Sequence, residues 1–128
     1  MTIFDSSVWV AFFNDKDSQH KKAREAVTLA GGFTVIPEHI VAETASVLLA
    51  RANKEYAEAF LEAITGNPSV KILLSEESLF WNTLTLFREK ENKKLSFVDV
   101  SLLFLSLRYE VVSFDQELSK AIKKRKNT

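Results

Sequence analysis

The chain has 128 residues, 46% of them hydrophobic, which suits one domain built on a single core. It has no cysteine, which excludes disulfides and thiolate zinc sites, and with only His20 and His39 to offer imidazole, any metal would be held by oxygen. Seventeen basic residues balance seventeen acidic ones, yet five of the basic ones (Lys120, Lys123, Lys124, Arg125, Lys126) crowd into the last nine positions, leaving a body of twelve basic against seventeen acidic residues. Such a body does not attract a polyanion unaided: a cation neutralises part of it, the basic end does the binding, or no nucleic acid binds. The longest unbroken apolar run, Val8 to Phe13, is too short to span a bilayer, and Asp5 stands where a signal peptide would carry positive charge, so a cytoplasmic location with no membrane partner is expected.

In chain order, Met1 to Phe4 reads as a short strand, and Asp5-Ser6-Ser7 offers cap chemistry before a helix over Val8 to Phe13. Asp17 and Ser18 are candidate caps for a helix over Gln19 to Ala30, closed by Gly31-Gly32. A strand at Phe33 to Ile36 leads to Pro37, placed at the tolerated first position of a helix that runs to about Ala52. Glu55 to Ile64 is amphipathic and stops at Gly66-Asn67-Pro68. Val70 to Leu74 is the third strand, and Ser75-Glu76-Glu77 precedes a helix over Leu79 to Glu91. Asn92-Lys93-Lys94 is a loop; Val98 to Tyr109, nearly all apolar, is a buried helix; Val111 to Phe114 is the last strand; and a short helix from Gln116 enters the basic end. Strands alternating with helices predict a parallel sheet covered on both faces.

Four carboxylates occupy positions that local structure alone does not fully explain. Asp5 and Asp115 follow apolar strands, and open parallel sheets place their ligand crevice outside the carboxyl ends of the strands; each is equally readable as the N-cap of the next helix. Asp99 falls on the helix side that carries Leu102, Leu103 and Ser106, so it faces inward, but Ser96-Phe97-Val98-Asp99 is also a capping box. Glu43 has Ile40 and Val47 on its own face, at the border of an apolar stripe, where a carboxylate either snorkels outward or is held by a partner. Taken together, the four can converge on one rim. Like charges gathered there do not all stay ionised without a cation, and an oxygen-bound divalent ion would resolve the conflict and activate water for phosphoryl chemistry.

At these same residues the sequence resembles the PIN-domain family, and more narrowly the VapC-type ribonuclease toxins of toxin–antitoxin pairs. Ile3-Phe4-Asp5-Ser6-Ser7 resembles the family's opening strand with its Asp and hydroxyl residue, and Ile36 to Glu43 resembles the segment that delivers a helix-borne acid. Leu95 to Leu102 looks like the third motif, with its acid at Asp99, and Val111 to Leu118 like the closing motif, with its acid at Asp115. The likeness runs nearly end to end. It implies a three-layer α/β/α PIN-like fold with a central parallel sheet of four to five strands, as a single domain over residues 1–128; on charge alone, the basic 120–128 segment is expected to be a solvated, mobile tail in preference to a grip for phosphates. It further implies a metal-dependent endoribonuclease, with Mg²⁺ or Mn²⁺ held by Asp5, Glu43, Asp99 and Asp115 and with Ser7 steadying the first motif or a bound phosphate. RNA as substrate, an antitoxin protein as partner and a homodimer follow from the same resemblance.

Other readings were weighed on the residues. Alternating strands and helices with rim acids also describe a receiver-like or PIN-like signalling or protein-binding module without catalysis. A receiver wants its acceptor Asp after the third strand, where Leu74-Ser75 stand, and a lysine after the last, where Asp115 stands. An aspartyl phosphatase wants a second acid two residues after the first, where Ser7 stands. Trp9, Phe12, Phe13, Phe80, Trp81, Phe87 and Phe104 are read as core or dimer interface in preference to base-stacking platforms. His20 is expected at the surface, His39 near the rim at most, and Arg51 is a candidate partner for one of the acids.

Overall fold

A computed structural model of the chain describes residues 1–89, 91 and 93–127. Its elements are β1 (Thr2–Phe4), α1 (Ser6–Phe13), α2 (His20–Ala30), β2 (Thr34–Pro37), α3 (Glu38–Arg51), α4 (Lys54–Gly66), β3 (Val70–Leu73), α5 (Glu77–Phe87), α6 (Phe97–Leu105), β4 (Glu110–Val112) and α7 (Gln116–Lys126). The four strands form one parallel sheet in the order β3-β2-β1-β4, with Thr2 opposite both Thr34 and Glu110, and Phe4 opposite Val112. From β1 the chain steps outward through β2 to β3, then returns across the sheet to lay β4 on the other side of β1. Because crossovers between parallel strands keep one hand, that reversal sends the later helices to the opposite face. The packing agrees: α1 contacts α2 and α3, and α3 contacts α4, while α6 contacts α5 and α7, which gives three layers.

Helix and strand limits follow local chemistry. Asp5 caps α1, its carboxylate accepting from the Ser6 amide, so the helix begins two residues earlier than its apolar run. Gly31 (φ 37°) and Gly32 (φ 95°) close α2 in a backbone region that other residues avoid. Neither Asp17 nor Ser18, the candidate caps, stands at the N-cap of α2: that position is Gln19, without a side-chain cap bond, and Asp17 accepts from its amide at 2.8 Å. Two helices are shorter than their sequences predict. After Phe87 the chain offers Arg88 and Glu89 and no apolar side chain to bury, and Glu89 N bonds Leu86 O in a tightened last turn. Helix α6 closes at Leu105 in the same way, with Arg108 N bonded to Leu105 O, and Tyr109 runs directly into β4, where Glu110 N bonds Met1 O. Asn92 of the expected Asn92-Lys93-Lys94 loop lies outside the described residues.

Ile3, Phe4, Val35 and Ile36 of the two central strands are fully buried, as are Ile40, Leu48, Phe60, Leu102 and Leu118 from helices on both faces. Each such side chain contributes about 1.5–3 kcal/mol. Trp9 sits edge-on to Phe4 at 5.3 Å between centroids, which fixes α1 over β1. Phe80, Trp81, Phe87 and Phe97 instead pack against one another at the surface of α5 and α6. The expected mobile basic tail is replaced by helix: α7 continues to Lys126, because Leu118 and Ile122 on its inner face are buried. Among the described residues no helix is long and apolar enough to cross a membrane.

Candidate active site

The strand order reverses at β1, between β1 and β4, and there the two chains leave the sheet side by side. Asp5 follows β1, and its amide still bonds Val112 O of β4 at 2.9 Å. Ser113 follows β4, and its hydroxyl donates to Asp5 Oδ2 at 2.8 Å while accepting from the Asp115 amide at 3.0 Å. One serine thus joins the acids at the ends of two neighbouring strands. Ser7 completes the link from the helix side, donating to Asp5 Oδ2 at 3.2 Å and accepting from the Phe114 amide at 3.2 Å.

A cleft of about 390 Å³ opens at this switch point, and Asp5, Glu43, Asp99 and Asp115 all line it. Four separate elements supply them: the end of β1, α3, the first turn of α6 and the cap of α7. All three cap readings of the sequence are realised alongside the cleft position, that of Asp5 at α1 as described above. The capping box at Asp99 is complete, with Asp99 Oδ2 accepting from the Ser96 amide at 3.1 Å. Asp115 Oδ1 accepts from the Glu117 amide at 2.9 Å. These two caps use one carboxylate oxygen each and leave the other to the cleft. Glu43 does not snorkel away, for it shares the cleft wall with Val47 and Arg51.

These charges strain one another. Asp5 is 5% exposed, and burial holds its carboxyl above the usual range; the donors on Ser113, Ser6 and Ser7 oppose that rise, and repulsion from Glu43 adds to it. Burial also raises Asp99, against the hydrogen bonds from Ser96, and Asp5 and Asp115 push it further. His39, one turn before Glu43, is lowered by burial, an effect partly offset by Glu43 and Glu38. Its Nε2 lies 2.9 Å from Ser101 Oγ, two residues past Asp99, so the ring ties α3 to α6 beside the cleft. His20 is bound elsewhere, its Nδ1 2.7 Å from Ala11 O.

Several residues in or beside the cleft are read from the sequence only as caps or motif positions. Ser113 stood inside the motif before Asp115, where a small hydroxyl residue between strand and acid was its only signal. Asp17, Gln19 and Ser96 also line the cleft, and Asp17 adds a fifth carboxylate facing one cation, Arg51. As the side chains stand, no three acids or histidines among the described residues are gathered tightly enough to share an ion.

The architecture is that of a doubly covered parallel α/β domain with an acid-lined cleft at its switch point, the position at which such sheets bind ligands. The profile of the PIN domain matches residues 2–124, and the chain belongs to the PIN domain family. Among solved structures, the crystal structure of Mycobacterium tuberculosis VapC20, described as a Sarcin-Ricin loop cleaving toxin, shares the fold with a TM-score of 0.85 over 94% of this chain and 95% of that one, at 19% identity. No curated protein sequence matches the chain.

Proposed function

We propose that the protein is a metal-dependent endoribonuclease, the toxin of a toxin–antitoxin pair, and that Asp5, Glu43, Asp99 and Asp115 are its catalytic carboxylates. The observation that carries this reading is the convergence of four acids from four elements on one cleft at the switch point. Burial raises the proton affinity of Asp5 and Asp99 and repulsion from neighbouring acids adds to it, and a divalent cation would relieve both. The donors fit that role, being all oxygen in a chain without cysteine, which suits Mg²⁺ or Mn²⁺. Asp5, Asp99 and Asp115 would hold the ion, Asp5 through the remaining lone pairs of oxygens that already accept from Ser6, Ser7 and Ser113.

A bound ion supplies activated water at neutral pH and charge stabilisation on the phosphoryl oxygens. The chain's own residues do the rest. Glu43 reaches the cleft from α3, opposite the strand-end acids in sequence, and ligates directly or orients the water for in-line attack. Ser7 and Ser113 on Oδ2 and the Ser6 amide on Oδ1 hold Asp5 at a fixed angle, so the carboxylate is not free to swing. Water would form the new P–O bond as the P–O3′ bond breaks and O3′ takes up a proton, leaving the 5′-phosphate and 3′-hydroxyl that the family implies. The Sarcin-Ricin loop specificity named for VapC20 makes structured RNA a substrate to include. The homodimer expected of this chain would use the surface aromatic patch of Phe80, Trp81, Phe87 and Phe97, and the antitoxin would cover the cleft.

The test is cleavage of RNA with Mg²⁺ or Mn²⁺, beside EDTA and beside Asp99→Asn. Cleavage only in the metal-supplemented wild type is the expected result. Equal cleavage in all three overturns the reading.

A further inference from the structure

The cleft has five carboxylates and a single arginine on its walls, so it repels the polyanion it is proposed to cut. The affinity for RNA must come from a neighbouring surface. A groove of about 510 Å³ lies between α7 and residues 89, 91 and 93–95, and among the described residues its charged lining is five cations (Lys93, Lys94, Lys120, Lys124, Arg125) against Glu89, Glu91 and Glu117. Resting on the nuclease reading above, we propose that this groove binds the phosphates of a single RNA strand flanking the scissile bond.

Three adjacencies make groove and cleft parts of one track. Leu95 lines the groove and Ser96 the cleft. On α6, Asp99 faces the cleft, and Leu103, one turn later, faces the groove. On α7, the cap Asp115 belongs to the cleft, while Glu117, Lys120, Ala121 and Lys124 line the groove with the spacing of one helical face. At 1.5 Å rise per residue, Lys120 and Lys124 stand roughly 7 and 13 Å along the helix from Asp115. The basic run that looked like a solvated tail is therefore sorted by the helix: this face turns to the groove, while Lys126 is paired with Glu110 at 3.0 Å on another side. A phosphate strand fits the cations, and Leu95, Leu103 and Ala121 give the groove an apolar lining beneath the sugars.

The experiment measures binding of a fluorescein-labelled single-stranded RNA in EDTA by anisotropy, across a salt series, for wild type, Lys120→Gln/Lys124→Gln and the control Lys71→Gln on β3. Thermal melts check that each variant folds. The double variant is expected to raise the dissociation constant about tenfold. Its log–log salt slope should shrink by about 1.4, since each phosphate contact on a single strand contributes about 0.7. Lys71→Gln should match wild type. In cleavage, the double variant should raise KM and move kcat less than twofold.

A double variant that binds and melts like the control overturns the proposal. So does one that keeps RNA affinity but loses affinity for an oligoglutamate peptide, which would assign the groove to an acidic protein segment. The two readings fail separately: Asp99-dependent cleavage with unchanged affinity in the double variant sinks the groove alone, and groove-dependent binding by a wild type that never cuts RNA sinks the nuclease alone.

Discussion

Replacing Ser113 by alanine tests how the first acid is held. The hydroxyl donates to Asp5 Oδ2 at 2.8 Å and accepts from the Asp115 amide at 3.0 Å. A hydrogen bond to a charged group contributes about 1.5–3 kcal/mol and a neutral one about 0.5–1.5. The Asp115 side of the link is exposed and can turn to water, so the larger loss falls at buried Asp5. The sum expected is about 2–3 kcal/mol. With an unfolding entropy of about 2.1 cal/mol/K per residue, that lowers the melting temperature of a domain this size by about 7–11 °C.

A second consequence is chemical. Ser113 is the strongest influence keeping the Asp5 carboxyl down against burial, so its removal lets that carboxyl rise further. Cation binding needs the ionised form, and its onset should move to higher pH in Ser113→Ala. Ser113→Thr, which keeps the hydroxyl, should recover most of both effects. Urea unfolding in EDTA and Mn²⁺ binding titrated against pH measure them. A Ser113→Ala protein within 0.5 kcal/mol of wild type by the stated bond energies, with the same onset pH, would refute this account of Asp5.

The charge on Asp99 should destabilise the metal-free fold. Its folded pKa lies above the usual 3.8, so its contribution favours the fold below 3.8 and is lost as pH rises through the folded value. Asp99→Asn keeps an acceptor for the Ser96 amide, so in EDTA at pH 7 it should unfold at the same urea concentration as wild type or a higher one, with the difference gone below pH 3.8; cleavage should fall on the order of a hundredfold or more. A variant clearly less stable at pH 7 would contradict the strain at this position. Thr44 lies fully buried on α3 with its hydroxyl unpartnered among the described residues, so Thr44→Val should raise stability by about 1 kcal/mol without changing cleavage, and a loss in urea unfolding would show a partner for that hydroxyl.

The four acids were legible because each sits at a junction the sequence marks: a strand end, a cap or the border of an apolar stripe. For Asp5, Asp99 and Asp115 the cap reading and the cleft reading both hold: the caps of Asp99 and Asp115 use one carboxylate oxygen each, while Asp5 lines the cleft with both oxygens hydrogen-bonded. Glu43 was decided by its flanks, Ile40 and Val47. Ser113 carried less signal because its role is non-local: it depends on β4 pairing beside β1, which reverses the strand order and which no local pattern encodes. The same is true of His39, whose partner Ser101 is 62 positions away. The basic end misled in a different way. Charge density suggested a solvated tail, but Leu118 and Ile122, four apart, anchor it as a helix and turn part of its charge toward a groove.

The central claim, that these carboxylates direct water at an RNA phosphodiester, is tested most directly by the chemistry of the cut ends. End-group mapping of end-labelled RNA after incubation with Mn²⁺ should find 5′-phosphate and 3′-hydroxyl termini with wild type, and neither with Glu43→Gln or Asp99→Asn. Termini bearing a 2′,3′-cyclic phosphate, formed equally by wild type and both variants, would mean that the ribose hydroxyl and not water attacks, and would contradict the account.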